Sequence, residues 1–464
     1  MKVEVVLLLL LFAIMASLGA SIHNPIGINY GLLGDNLPST SQSIYLVQSL
    51  LKVPRVKLYE PRPDILQALS NTNIQVTIMV PNQAIPNISL SQNVSDSWVK
   101  INLLPFYPKT RIQTLLVGNE VLSDPSIKTT WSMLVPAMRN LKYSLRALDV
   151  GSIKVGTTLA MDTLESSFPP SNGTFRSDIA VPVIKPLLQF LNKTKSFYFV
   201  DVYPYFAWAA NYKSINLNYT LFMNGSAGYK DPFSGLVYTN LLDQQLDAVA
   251  SAMAKLGYPN IRITIAETGW PNAGDLDQIG ANVYNAAHYN RNFVRKLRSN
   301  MGTPMRPNQT IFAYIFSLYN ENLKGGPGTE RHWGLLYPNG SRVYEVDLTG
   351  RTPNSKYAPL PEPKNNEPYK GKIWCVVAPG ANFTALGPAL SYACSQANDT
   401  CNAIQRGKKC FMPNTLVSHA SYAFNSYWQM FRGTGGTCFF NGLAVQTAIN
   451  PSYGSCKFPT LSPS

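Results

Sequence analysis

All six cysteines of this 464-residue chain fall between Cys375 and Cys456, and the 374 residues before them contain none. This asymmetry constrains the fold more than any other feature. A cysteine-free stretch of that length must be held by a hydrophobic core, and a composition that is 45% hydrophobic supplies one. The short C-terminal part reads as a small domain stapled by disulfides, which implies an oxidising compartment. Between the two, GRTPNSKYAPLPEPKNNEPYKG (350–371) is rich in Pro, Asn and Lys and has no apolar periodicity. It reads as an extended linker. The expected division is a signal segment at 1–20, a large domain at 26–348, a linker at 349–371 and a six-cysteine domain at 372–458.

The run VVLLLLLFAIMASLGA (5–20) follows Lys2 and ends in small residues. It reads as a secretory signal cleaved near Ala20, since its apolar core is short for a membrane span. Stable membrane insertion is not expected, and the C-terminal CKFPTLSPS carries no visible lipid-anchor signal. Ten Asn-x-Ser/Thr sequons fit a secreted, extracellular or cell-wall glycoprotein. They begin at Asn87, Asn93, Asn172, Asn192, Asn218, Asn224, Asn308, Asn339, Asn382 and Asn398. The net charge of +14 reads either as attraction to acidic polysaccharide or as a basic surface without a dedicated partner. Lys and Arg are dispersed, without the clustered stripe that nucleic acid requires.

The large domain alternates strand-like and helical patterns. Strand-like runs occur at 26–31, 53–60, 74–81, 112–120, 153–161, 197–206, 261–271 and 311–321, and helical patterns separate most of them. Eight such strands imply an α/β fold, a (β/α)8 TIM barrel with a small disulfide-stapled C-terminal domain. A doubly wound open sheet is the runner-up. The sequence lacks the GxGxxG and GxxxxGK turns that would support a nucleotide-binding version of it.

A barrel opens all its strand C-termini on one face, where barrel enzymes place their chemistry. Tyr30, Glu60, Glu120, Tyr203, Glu267, Trp270 and Glu321 lie at or just beyond such ends. Glu120, in LLVGNEV, ends the fourth strand, and Glu267, in ITIAETGWP, the seventh. Two carboxylates facing each other across a barrel mouth suit cleavage of a glycosidic bond. One protonates the leaving oxygen, and the other stabilises or attacks the oxocarbenium-like centre. Asn119 is placed to bond a sugar hydroxyl or the partner carboxylate. Tyr30, Tyr203, Tyr205, Phe206, Trp270, Tyr319 and Trp333 read either as sugar-stacking surfaces or as core. Glu60 reads better as a structural ion-pair residue. No metal or organic cofactor is expected.

IGINYG, VGNEV, ITIAETGWPNAG and YNENLKGGPGTERHWGLL occur in this order over about residues 26–348. The set resembles glycoside hydrolase family 17, the plant endo-β-1,3-glucanases. The resemblance implies Glu120 as general acid/base and Glu267 as nucleophile, with Glu321, Lys324 and Glu330 supporting the site. Lys324 would then pair with carboxylates and help keep the nucleophile ionised. Two positions depart from the family pattern: Asp201 stands where Asn is common, and Gly325 where Pro is common.

The cysteine-rich part contains WCVVAPGA, ALSYACSQANDTCNAI and GGTCFFNGLAVQTAINPSYGSC. It resembles carbohydrate-binding module family 43. Six cysteines allow fifteen pairings, and sequence alone does not choose among them. The resemblance implies Cys375–Cys438, Cys394–Cys401 and Cys410–Cys456. A zinc site is the rival, disfavoured by the absence of a CxxC pair. Tyr422, Phe424, Tyr427 and Trp428 read partly as core and partly as a glucan-stacking cluster.

The resulting expectation is a secreted, monomeric, retaining endo-hydrolase of β-1,3-glucan, whose small domain binds the same polymer. A glucan-remodelling transglycosylase and a non-catalytic glucan-binding wall protein are the alternatives.

Overall fold

The computed structural model describes residues 24–223, 225 and 227–460. The signal segment at 1–20 and the sequon at Asn224 lie outside the described residues. Eight parallel strands close a barrel in sequence order. They are β1 (Ile26–Tyr30), β2 (Arg55–Leu58), β3 (Gln75–Val80), β4 (Arg111–Asn119), β5 (Lys154–Ala160), β6 (Tyr198–Asp201), β7 (Ile263–Thr268) and β8 (Ala313–Ile315). All eight expected strand runs are present. The sixth ends sooner than its apolar run, because Pro204 opens a helix over Pro204–Ala210. Pro at a first helical position loses no hydrogen bond, so the aromatic run continues as a helix.

Side-chain alternation builds the two layers of this core. Met79, Leu116, Phe199 and Ala266 form a cluster inside the barrel. Their strand neighbours Ile78, Leu115, Val117, Val200 and Ile265 pack outward under the helices. The helices over Leu134–Ala147, Leu241–Lys255 and Val283–Arg298 bury their apolar stripes against that outer face. Asn240 and Asn282 cap the last two, each accepting a hydrogen bond from a first-turn amide.

The small domain has its own core of Trp374, Leu386, Phe424, Trp428 and neighbours. Strands β9 (Trp374–Val377) and β10 (Ala444–Thr447) pair antiparallel beside helices Phe383–Ser395 and Leu416–Phe431. Its disulfides are Cys375–Cys438, Cys394–Cys401 and Cys410–Cys456. Of the aromatic cluster, Tyr422, Phe424 and Trp428 are core. Tyr427 is only partly buried and meets half-exposed Tyr392. The Cys375–Cys438 bridge spans 63 residues of a domain with a small core. Replacing both cysteines by Ala is expected to destabilise this domain by about 2–5 kcal/mol. Calorimetry would show the loss as a new, earlier unfolding transition, with the barrel transition retained.

The connecting segment is largely irregular, and it is not a free tether. The Asn365 side-chain amide donates to the carbonyls of Gln278 and Ala281, and its backbone carbonyl accepts from Gly280. Asn282 and Asn285 donate to the amide oxygens of Asn365 and Asn366. Arg291 stacks on Tyr357 at 3.9 Å. The small domain itself touches the loops after β7 and β8, through Gln446 to Asp277 at 3.0 Å and Arg331 over Phe439 at 3.7 Å. Among the described residues, no helix is long and apolar enough to cross a membrane.

Candidate active site

A cleft of about 1070 Å³ lies across the C-terminal mouth of the barrel, lined by residues at or beyond the C-terminal end of every strand. It is larger than the roughly 300–1,000 Å³ typical of small-ligand pockets. Glu120, Glu267, Asn119, Tyr30, Tyr203, Glu321, Lys324 and Glu330 all line it, so the structure gathers eight of the nine expected polymer-contacting residues.

The ninth, Trp270, does not reach the cleft. It is fully buried, packs against Tyr205, Trp208 and Tyr289, and donates its indole N–H to the Gly280 carbonyl at 2.8 Å. Gly269 packs close on the end of the next strand, where an added Cβ would lie 2.3 Å from the Phe316 carbonyl oxygen. Trp270, three residues past Glu267, falls on the opposite face with Thr268, in the helical layer. Tyr205 and Tyr319 are likewise core, Tyr319 bonding Ser43 at 3.0 Å. Of the expected aromatics, Tyr30, Tyr203, Phe206 and Trp333 line the cleft, joined by Tyr59 and Phe316. Phe206 is 48% exposed, and Tyr203 meets Trp333 at 5.0 Å between ring centres.

Local backbone irregularity aims both carboxyls. In β7 the register against β6 slips between Ile265 and Glu267. Ala266 already points into the barrel, so strict alternation would send Glu267 outward; the bulge returns it to the mouth. In β4 the register against β5 slips between Leu116 and Asn119. There Gly118 has φ +73° and Glu120 φ +47°, both left-handed. A Cβ at Gly118 would sit 2.4 Å from Val121, so only glycine fits. For Glu120 the same conformation costs on the order of 1–3 kcal/mol, strain held by the surrounding hydrogen bonds. Its amide donates to the Thr158 carbonyl at 3.2 Å, and Asn82 accepts from the Asn119 amide at 2.8 Å.

Three donors converge on Glu267. Lys57 Nζ lies 2.7 Å and Tyr59 Oη 2.5 Å from Oε1, and Tyr203 Oη donates to Oε2 at 2.8 Å. Burial pushes this carboxyl up, but the Lys57 charge and these hydrogen bonds outweigh it and hold the group below the ordinary glutamate range. Burial and the Glu267 charge push both tyrosine hydroxyls well up, so they remain donors. Glu120 has the opposite setting. Burial and then the Glu267 charge raise it to about 7, against opposing pulls from Lys57 and Lys324.

Lys57 and Tyr59 are the residues beside Glu267 that sequence reasoning missed. The role of keeping Glu267 ionised, expected of Lys324, falls to Lys57. Lys324 instead pairs with Glu330 at 2.9 Å and lies over Phe316 at 4.1 Å. A signal for Lys57 was present: in RVKLY, Arg55, Lys57 and Tyr59 alternate with apolar residues that face the helices. A lysine on the inner face of a barrel strand needs a buried anion. Glu321 accepts from the Leu33 amide at 2.6 Å and lies over Gly31, where an added Cβ would come within 2.4–2.7 Å of its carboxylate. Glu60 is exposed and lies 3.9 Å from Arg62, the weak surface pair expected of it.

Two carboxyls at the mouth of a (β/α)8 barrel, one kept ionised and one kept protonated towards neutrality, define a two-carboxylate glycosidase. Comparison with known proteins agrees: the chain belongs to glycosyl hydrolases family 17, whose family model matches residues 26–348, and an X8 domain matches residues 373–445. It is 53% identical over 439 residues to the probable glucan endo-1,3-beta-glucosidase A6 of Arabidopsis thaliana, covering 94% of this chain and 91% of the relative. Similarity to the glucan endo-1,3-beta-D-glucosidase of Olea europaea is 38%, covering 98% of each chain. Among solved structures, a beta-1,3-glucanase and allergen of Cryptomeria japonica pollen superposes with a TM-score of 0.66 at 41% identity, covering 70% of this chain and 99% of the other. A plant beta-glucan endohydrolase gives a TM-score of 0.63 at 34% identity, covering 69% and 99%.

Proposed function

We propose that this protein is a secreted, retaining endo-hydrolase of β-1,3-glucan, acting with Glu120 as acid/base and Glu267 as nucleophile. The observation that carries this reading is the opposite electrostatic setting of the two carboxyls. Glu267, ionised beside Lys57, attacks the anomeric carbon while Glu120 gives its proton to the leaving oxygen. Glu120, now a carboxylate, takes a proton from water, which releases the glycosyl–enzyme ester. With its Oδ1 accepting from Thr158, Asn119 has its Nδ2 left for a sugar hydroxyl. Phe206 offers a face for a pyranose ring, backed by the buried Trp333 at 5.7 Å between ring centres. The small domain binds the same glucan, and its contacts with the loops after β7 and β8 hold it beside the barrel. The sequons and the X8 match support an extracellular, wall-associated location.

The test is incubation with linear β-1,3-glucan, following reducing ends and product length. An early fall in polymer length with reducing ends released is expected. Binding without release would overturn the hydrolase reading, and products longer than the donor would assign transfer between chains instead. The pH profile follows from the two carboxyls. Activity needs Glu267 ionised, so it is lost only as pH falls through a value below the usual glutamate range. Activity also needs Glu120 protonated, so it is lost as pH rises through about 7. A bell with an acidic optimum is expected, and full activity well into the alkaline range would contradict the assignment of Glu120.

A further inference from the structure

Asp201 closes β6, paired in register with Glu267 of β7 on one side and Ala160 of β5 on the other. Its side chain lines the cleft, the residue is 2% exposed, and neither carboxyl oxygen has a hydrogen-bond partner. Buried carboxyl oxygens without a donor are among the costlier arrangements a fold can hold, far more so when charged. The donors of the nucleophile's cluster are already engaged. Lys57, Tyr59 and Tyr203 bond Glu267, and the Thr158 hydroxyl donates to Asn119 at 2.9 Å.

A charge count points the same way. Glu120, Asp201 and Glu267 face one buried cation, Lys57, which Glu267 takes at 2.7 Å. From β2, Lys57 pulls the Asp201 carboxyl down and the neutral Tyr59 faces it. Glu120 beyond β4 and Glu267 on β7 push it up, while the neutral Tyr198 and Tyr203 lie on its own side. The Thr158 hydroxyl also lies near enough to pull the carboxyl down, although its proton goes to Asn119. Burial and the Glu267 charge outweigh it and Lys57, leaving the group well above the ordinary aspartate range.

We propose that Asp201 is a specificity-determining residue of this cleft, carried as the neutral acid and donating a hydrogen bond to a hydroxyl of the glucose unit seated against Glu267. The proposal rests on the glucan-hydrolase reading. A neutral carboxyl is both donor and acceptor, and it adds no negative charge beside the nucleophile. Substrate then supplies the partner that the protein leaves out.

The experiment uses the full chain with Asp201→Asn and Asp201→Ala, assayed against laminari-oligosaccharides and their monodeoxy analogues. Asp201→Ala is expected to lose about 10- to 100-fold in kcat/KM, and Asp201→Asn, which restores a donor of the same shape, to recover most of it. One deoxy donor should be penalised with wild type and not with Asp201→Ala. Equal penalties in both would overturn the proposal, as would an Ala variant as active as wild type. An alkaline limb that moves to lower pH in Asp201→Asn would also overturn it, because removing an ionised neighbour lowers Glu120. Infrared difference spectra of wild type against Asp201→Asn separate this proposal from the functional reading. A protonated-carboxyl stretch at neutral pH is expected whether or not glucan is cleaved, and its absence sinks the neutral-acid assignment. An inactive wild type that shows the stretch fails on function, and the hydrogen bond is then read from binding of the same deoxy series.

Discussion

Glu267→Gln is expected to lower kcat on linear β-1,3-glucan by at least about 10⁴-fold. The amide keeps the shape of the side chain but cannot form the glycosyl ester. A second effect accompanies the first. Lys57 is fully buried, and Glu267 is its only salt-bridge partner among the described residues. The amide removes the carboxylate directly paired with that charge, at a cost of about 3–5 kcal/mol. Activity and thermal unfolding must therefore be measured on the same preparation. A folded variant that retains even a hundredth of wild-type turnover, as an order of magnitude for a missing nucleophile, would remove Glu267 from the nucleophile role.

Lys57→Met carries the next largest effect. Without the ammonium, burial is no longer offset and the Glu267 carboxyl rises. Each unit of rise costs about tenfold in the ionised fraction on the acid side. The acid limb of the pH profile should move up, and kcat/KM at acidic pH should fall by about 100-fold or more. The alkaline limb should move up as well, since Lys57 also lowers Glu120. An unmoved acid limb would show that Tyr59 and Tyr203 suffice to keep Glu267 ionised. Combining Lys57→Met with Glu267→Gln removes both buried charges. The double variant should be more stable than Glu267→Gln alone while remaining inactive, the sign of an energetically coupled pair.

The two glutamates were legible in sequence because each terminates a strand run, and a strand end has a known place in a barrel. Asn119, Tyr203 and Glu321 were legible for the same reason. Trp270 shows the limit of that reasoning: it lies three residues past Glu267, and an odd spacing along an extended chain puts it on the opposite face, in the helical layer. Tyr319 is core as well. Lys57 was hidden for the opposite reason. It lies inside a strand, and strand interiors read as core until closure of the barrel shows which face is internal. Asp201 was visible only as an unusual residue type. Its lack of partners is a property of the folded neighbourhood.

From the residues alone came two domains held by different forces, the eight-strand alternation and the two carboxyls at the ends of β4 and β7. These follow from local rules: cysteine placement, apolar periodicity and the position of charge along a strand. Ordered motifs added an expected disulfide pairing and separate roles for the carboxyls. Only the tertiary structure decided what surrounds the carboxyls: Lys57 from β2, Tyr203 from β6, the bulge that turns Glu267 inward and the clasp that lays the linker on the barrel. A carboxyl's ionisation depends on burial and on charges a few ångströms away, and residues that close in space, such as Lys57 and Glu267, lie 210 positions apart in the chain.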